Sequence, residues 1–137
     1  MKLQADIKIK NVILHEFEWE CTNFQLILDI KNNYPIKIKL EDLELDLINS
    51  IDEKFAYIEC GNIIIKSKES KEITFNIKLY NKEAANLINN FINNKESVFK
   101  AHILKGKLQL FSILPINLHN KTKNIDILDL IKYLYEK

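Results

Sequence analysis

With 137 residues, 47% of them hydrophobic and 28% charged, the chain has material for one packed core and not for two, which excludes a multidomain enzyme. The 20 basic and 19 acidic residues leave a net charge of +1, and every basic residue is lysine. Neither a strong net field nor the planar arginine fork is therefore available to grip nucleic acid or phosphate.

Glycine and proline number only 2 each, so strand ends have to be read from asparagine, charge clusters and slips in alternation. Ile7 and Ile9 alternate with Asp6, Lys8 and Lys10, and Phe17, Trp19 and Cys21 alternate with Glu16, Glu18 and Glu20. The apolar parity changes between Asn11 and Leu14, which predicts a bulge or bend. Phe24, Leu26, Leu28 and Ile30 form the next strand, closed by a turn through Asn32, Asn33, Tyr34 and Pro35. Ile36, Ile38 and Leu40 and then Leu43, Leu45 and Leu47 read as one strand with a bulge at Glu41-Asp42. A further strand runs from about Phe55 to Cys60, Gly61-Asn62 breaks the pattern, and Ile63-Ile64-Ile65 follows. After a charged loop, Ile73, Phe75, Ile77 and Leu79 give the cleanest period of two in the chain.

At Asn81 the period becomes 3.6, with Ala84, Leu87, Ile88 and Phe91 on one face, Asn81 as the expected N-cap and Glu83 in the first turn. Strand alternation returns from Val98 to Leu110, with a bulge expected at Gly106. The last strand is read as Ile113 to His119, and Pro115 in it predicts an edge position. From Asp126 the residues Ile127, Leu130, Ile131 and Leu134 mark a second amphipathic helix, expected to dock on the sheets. These elements predict an all-β fold: an immunoglobulin-like antiparallel two-sheet β-sandwich of about seven strands, with one short inserted helix and a C-terminal helix. The sandwich is assigned to residues 1–124 and the helix, on or beside it, to residues 125–137.

Candidate chemistry is sparse. Cys21 and Cys60 are too few for a disulfide scaffold and match no metal-ligand pair of the CxxC kind. They are expected to be structural, and a bridge would require Cβ atoms within about 4 Å, which sequence does not decide. His15, His102 and His119 fall on separate strands or strand ends, where exposed or capping roles are expected rather than a metal site. Asp42, Glu44 and Asp46, like Glu16, Glu18 and Glu20, form same-face rows that repel one another, a solvated face rather than an acid–base pair. No nucleophile elbow or phosphate loop is present. Phe17, Trp19, Phe24, Phe75, Phe91 and Phe99 lie in the apolar phase and are expected in the core. No apolar run approaches the roughly 20 residues of a membrane-spanning helix.

The order of elements resembles the late embryogenesis abundant group 2 family, defined by its water stress and hypersensitive response (WHy) domain. The resemblance runs from about Ile7 to Ile125. It is carried by Lys10-Asn11-Val12-Ile13-Leu14, by Phe24 to Asn32 leading through Asn33-Tyr34-Pro35-Ile36 into the Leu43 to Leu47 strand, by Ile63 to Ile65, by Ile73 to Ile77, and by Leu114-Pro115-Ile116. The family usually places proline directly after the asparagine that ends the strand, whereas here Asn33 stands there and Pro35 follows two residues later. The resemblance implies a non-enzymatic, stress-protective β-sandwich without cofactors or catalytic residues. It also implies, for a bacterial member, a cell-envelope lipoprotein if a leader has been removed and a cytoplasmic protein otherwise.

The leading expectation is therefore an accessory or stress-protective domain. Two alternatives stand beside it. One is a carrier of an apolar ligand or lipid, with Leu26, Leu28, Leu45, Phe75 and Ile77 lining a cavity between the sheets. The other is an interaction module that meets a protein or membrane surface through the Pro115 edge or through the C-terminal helix, with Tyr133 and Tyr135 at the contact. No nucleic-acid partner is expected, and the chain is expected to be a monomer or weak dimer.

Overall fold

The computed structural model describes residues 5–110 and 114–135. Nine strands and two helices follow in the order β1 (Ala5–Phe17), β2 (Cys21–Asn32), β3 (Ile38–Ile48), β4 (Lys54–Cys60), β5 (Ile63–Ile65), β6 (Ser70–Tyr80), α1 (Asn81–Asn94), β7 (Val98–Leu110), β8 (Leu114–Asn117), β9 (Thr122–Asp126) and α2 (Ile127–Tyr135). All pairings are antiparallel. The strands are linked in the order β1-β2-β6-β4-β3-β7-β8, with β5 also on β3 and β9 also on β7. The fold is all-β and sandwich-like, as the alternation predicts, with the strands joined into one hydrogen-bonded network.

Layering comes from a bend in β3. Its first residues pair with β5 and its last with β4, and the register slips between Glu41 and Glu44, where Asp42 takes a left-handed φ of 45°. The bulge turns β5 over strands to which it is not hydrogen-bonded. Ile63 and Ile65 of β5 thus pack with Ile73 of β6 and Cys60 of β4, and Ile30, Leu40, Leu43 and Phe75 surround them. A second cluster closes the other end, where α1 lays Ala84 and Leu87 over Phe55, Ala56 and Phe99. The Phe55 and Phe99 rings meet edge to face, 5.4 Å apart and at 83°.

Scarce glycine has a visible cost in the turns, because left-handed positions fall to Asp42, Asp52, Lys68, Lys95 and Asn120 instead. Two buried asparagines hold neighbouring loops. Asn32, 1% exposed, donates its amide to the carbonyls of Ile36, Ile65 and Lys66 and accepts the Tyr34 N–H, tying the Pro35 turn to the end of β5. Asn49, 0% exposed, accepts the N–H groups of Ile51 and Glu53 across the β3–β4 turn.

Several expectations need correction. The segment after Lys121 is a strand: β9 pairs Thr122–Asp126 with Val98–His102 of β7, and its single isoleucine gave no alternation to read. Residue 124, drawn as the end of the sandwich, lies inside β9. Asn81 does not cap α1. Tyr80 occupies the cap position with no side-chain bond, and the Asn81 amide is engaged elsewhere. Helix α1 also leaves Ile88 exposed. Pro115 is on a terminal strand, as predicted, opposite Gln109, while the side chains of Pro115, Tyr133 and Tyr135 lie outside the described residues.

Candidate interaction surface

A further correction concerns β1 and defines the surface of greatest interest. Cys21 belongs to β2, so the Glu16 to Cys21 alternation is broken by a tight turn at Glu18–Glu20, closed by the Glu18 N–H on the Cys21 carbonyl at 2.9 Å. Register with β2 places Ile7, Ile9, Val12, Leu14 and Phe17 on the same face as Ile30, Leu28, Leu26, Phe24 and Thr22. Sequence places these residues in the core phase, and β1 keeps that phase through two bulges, between Ile9 and Asn11 and between Leu14 and Glu16. No described element covers the face there. Ile9 is 49% exposed, Val12 56%, Leu14 63%, Phe17 73% and Trp19 94%. Phe17 and Trp19 are therefore surface residues, not core.

Coverage fades across the sheet. Ile73 on β6 is buried, the expected cavity-lining residues Leu26, Leu28, Phe75 and Ile77 are half-buried, and Ile9, Val12, Leu14 and Phe17 beyond them on β1 are bare. Leu45, the fifth of that set, lies on β3 opposite Ile58 and Ile103 and is also half-buried. The five thus belong to the inner face of a sheet whose far edge is open. β1 is the terminal strand of the network and pairs with β2 alone among the described residues, so one row of its backbone groups faces outward.

The tip of this hairpin is held firmly. The Asn81 side-chain amide donates to the carbonyls of Glu18 at 2.9 Å and Trp19 at 3.2 Å, its side-chain oxygen accepts the Thr22 hydroxyl at 2.8 Å, and its backbone N–H donates to the Glu20 carbonyl at 3.0 Å. The only tryptophan is therefore displayed on a pinned turn. Three glutamates flank it, and the Glu16 carboxylate beside Glu18 holds the Glu18 carboxyl above its ordinary range. At the other end β1 carries both signs, with Asp6 and Lys8 exposed and Lys10 reaching Glu72 of β6 at 2.6 Å.

The opposite, polar face of the sheet carries a second cluster. Tyr57 donates its hydroxyl to Glu44 at 2.5 Å, and this bond, followed by burial, holds the phenol well above its ordinary range, so it remains a donor at neutral pH. Beside it lies an open cleft of about 250 Å³ lined by His15, Asn23, Glu59, Asn76 and Lys78 among others. Asp46, expected on a solvated row, is 3% exposed and pairs with Lys54 at 3.1 Å. His15 lies on β1, His102 on β7 contacts the Thr122 hydroxyl at 2.8 Å, and His119 is in the turn after β8. Both cysteines are free, and burial pushes the Cys60 thiol up.

No family model matches the chain, and no curated protein matches it. Solved structures resemble it weakly. A protein from Archaeoglobus fulgidus is 13% identical, with 87% of this chain and 97% of that one covered and a TM-score of 0.46. The Northeast Structural Genomics Consortium target SoR45 is 12% identical over 95% and 92%, with a TM-score of 0.48. A protein of Arabidopsis thaliana solved in solution is 12% identical over 88% and 80%, with a TM-score of 0.38. Likenesses of this strength say nothing about activity.

Sequence inspection missed this surface because alternation reports which face a residue shares and not whether that face is covered. One signal was legible: glutamates interleave with Phe17 and Trp19, charges that a buried hairpin tip would have to desolvate.

Proposed function

We propose that this chain is a non-enzymatic β-sandwich accessory domain of the stress-protective kind, which works by holding extended apolar segments of other proteins along the open edge of β1. The single observation behind this reading is the bare stripe from Ile9 to Phe17 on a terminal strand, continued by Trp19 on the turn that follows. Such an edge offers a partner both unpaired backbone groups and alternate apolar side chains, which is how strand addition gains affinity and register. Contiguous apolar surface of this kind is rare on a chain that has no use for it. The sandwich layout that resembles the group 2 late embryogenesis abundant family supports the same reading.

Light scattering of citrate synthase during heat aggregation tests it. The wild-type chain should suppress the scattering, and the Val12→Lys/Leu14→Lys double variant, folded by circular dichroism, should lose most of that protection. Equal protection by the two proteins would discard the edge as the working surface. The apolar-ligand alternative is read in parallel from Trp19 fluorescence titrated with phosphatidylcholine vesicles, where a saturable blue shift would replace the protein client by lipid.

A further inference from the structure

We infer that β1 is self-complementary, and that a second copy of this chain, paired antiparallel through β1, covers the edge when no client is bound. The inference rests on the reading of β1 as the contact surface and concerns what occupies it at rest.

The charge layout carries the argument. Lys8 and Lys10 lie in the first half of β1, where Asp6 accepts the Asn33 side-chain amide at 3.1 Å, whereas Glu16 lies near its other end and Glu18 and Glu20 follow in the turn. Parallel pairing of two such strands would set lysine beside lysine and glutamate beside glutamate. Antiparallel pairing about a two-fold axis at Val12 sets Lys8 of each copy opposite Glu16 of the other, with Lys10 facing the same acidic end. Like charges directly opposite one another across strands destabilise, and opposite charges stabilise. Lys10 already meets Glu72 within its own chain, but both side chains are about half exposed, so that pair is weak and leaves Lys10 able to turn outward.

The bulges fit the same axis. They interrupt β1 between Ile9 and Asn11 and between Leu14 and Glu16, at nearly equal distances on either side of Val12. Each therefore falls opposite the other in the pair, and the face phase is kept along the whole contact. Ile9 then meets Leu14 on the apolar face, while Lys8 and Glu16 meet on the polar one. The isologous contact runs the bare stripes of both copies into one apolar strip and extends β1-β2-β6 across the axis. An arbitrary client strand lacks this charge order, so it competes only where its own apolar alternation is strong.

Sedimentation across a wide concentration range, with hydrogen exchange of β1 amides alongside, tests the inference. The wild type should pass from monomer to dimer, and outward-facing amides of β1 should gain protection in step. Lys8→Glu and Glu16→Lys should each weaken self-association by about tenfold or more, since each reversal places like charges at both ends of the contact. Mixed in equal amounts, the two variants should restore a heterodimer. A wild type that stays monomeric at every concentration, reversals that leave the dimer unchanged, or a mixture that does not associate would each overturn the inference. A wild-type monomer that still suppresses citrate synthase aggregation would leave the proposed function standing. Loss of suppression by Val12→Lys/Leu14→Lys is its separate readout.

Discussion

The ribbon formed by β6 and β2 and the ribbon formed by β2 and β1 carry the same alternation and meet opposite fates. On the first, Ile73 and Phe75 pair with Leu28 and Leu26 and are roofed by Ile63 and Ile65 of β5. On the second, Ile9, Val12 and Leu14 pair with Leu28, Leu26 and Phe24 and face open space. Neither propensity nor periodicity distinguishes the two ribbons. The difference is whether the bend in β3 carries a covering strand that far, and a hydrophobic residue without a roof is a contact surface rather than a core residue.

Mutations can break that contrast or sharpen it. The largest effect belongs to the covered side: Phe55→Ala removes a ring packed against Phe99 and α1, and should cost about 3–5 kcal/mol in urea unfolding. Asn32→Ala should cost about 2 kcal/mol, because it strips the half-buried Tyr34 N–H and three carbonyls of their partner. By contrast, Leu14→Ser on the bare ribbon should change monomer stability by less than about 0.5 kcal/mol, measured at concentrations too low for association. A large loss there would mean that the stripe is covered within its own chain.

Asn81→Ala should have an intermediate effect, about 1 kcal/mol, as partly exposed bonds to Glu18, Trp19 and Thr22 are lost. Its diagnostic readout is Trp19 fluorescence anisotropy, which should fall as the tip loosens. The smallest effect is one of pH. Because the folded chain holds the Glu18 proton more tightly than the unfolded chain does, this contribution to stability is fully present below the ordinary carboxylate pKa of about 4.3 and is lost as pH rises through the raised value. Glu16→Gln should flatten that dependence when the Trp19 signal is followed against pH.

Much of the fold was legible because period two and period 3.6 are local. The β3 bulge at Glu41-Asp42, the break at Gly61-Asn62 and the start of α1 follow from parity and composition alone. The short strand β9 was not legible. Its polar residues pair with β7 for reasons that lie in β7 and in the chain's return path, not in their own pattern. Asn81 illustrates the same limit at one side chain: an asparagine at a helix start is read as a cap, yet the nearby hairpin tip offers its amide two carbonyls that a cap would not. Nor does sequence separate Asn32 and Asn49, both buried, from the exposed asparagines in the rest of the chain, because burial depends on which loop lies across them.

By itself, then, the amino-acid order determined the strands other than β9, the two helices, the face each apolar side chain shares and the order of lysines before glutamates along β1, since all of these depend on neighbours along the chain. Tertiary structure alone decided which of those faces is roofed, which asparagines knit loops together and that Phe17 and Trp19 stand in solvent. Burial is a property of what another part of the chain brings across, and that distance is set by one bulge in β3 and not by the residues it leaves uncovered.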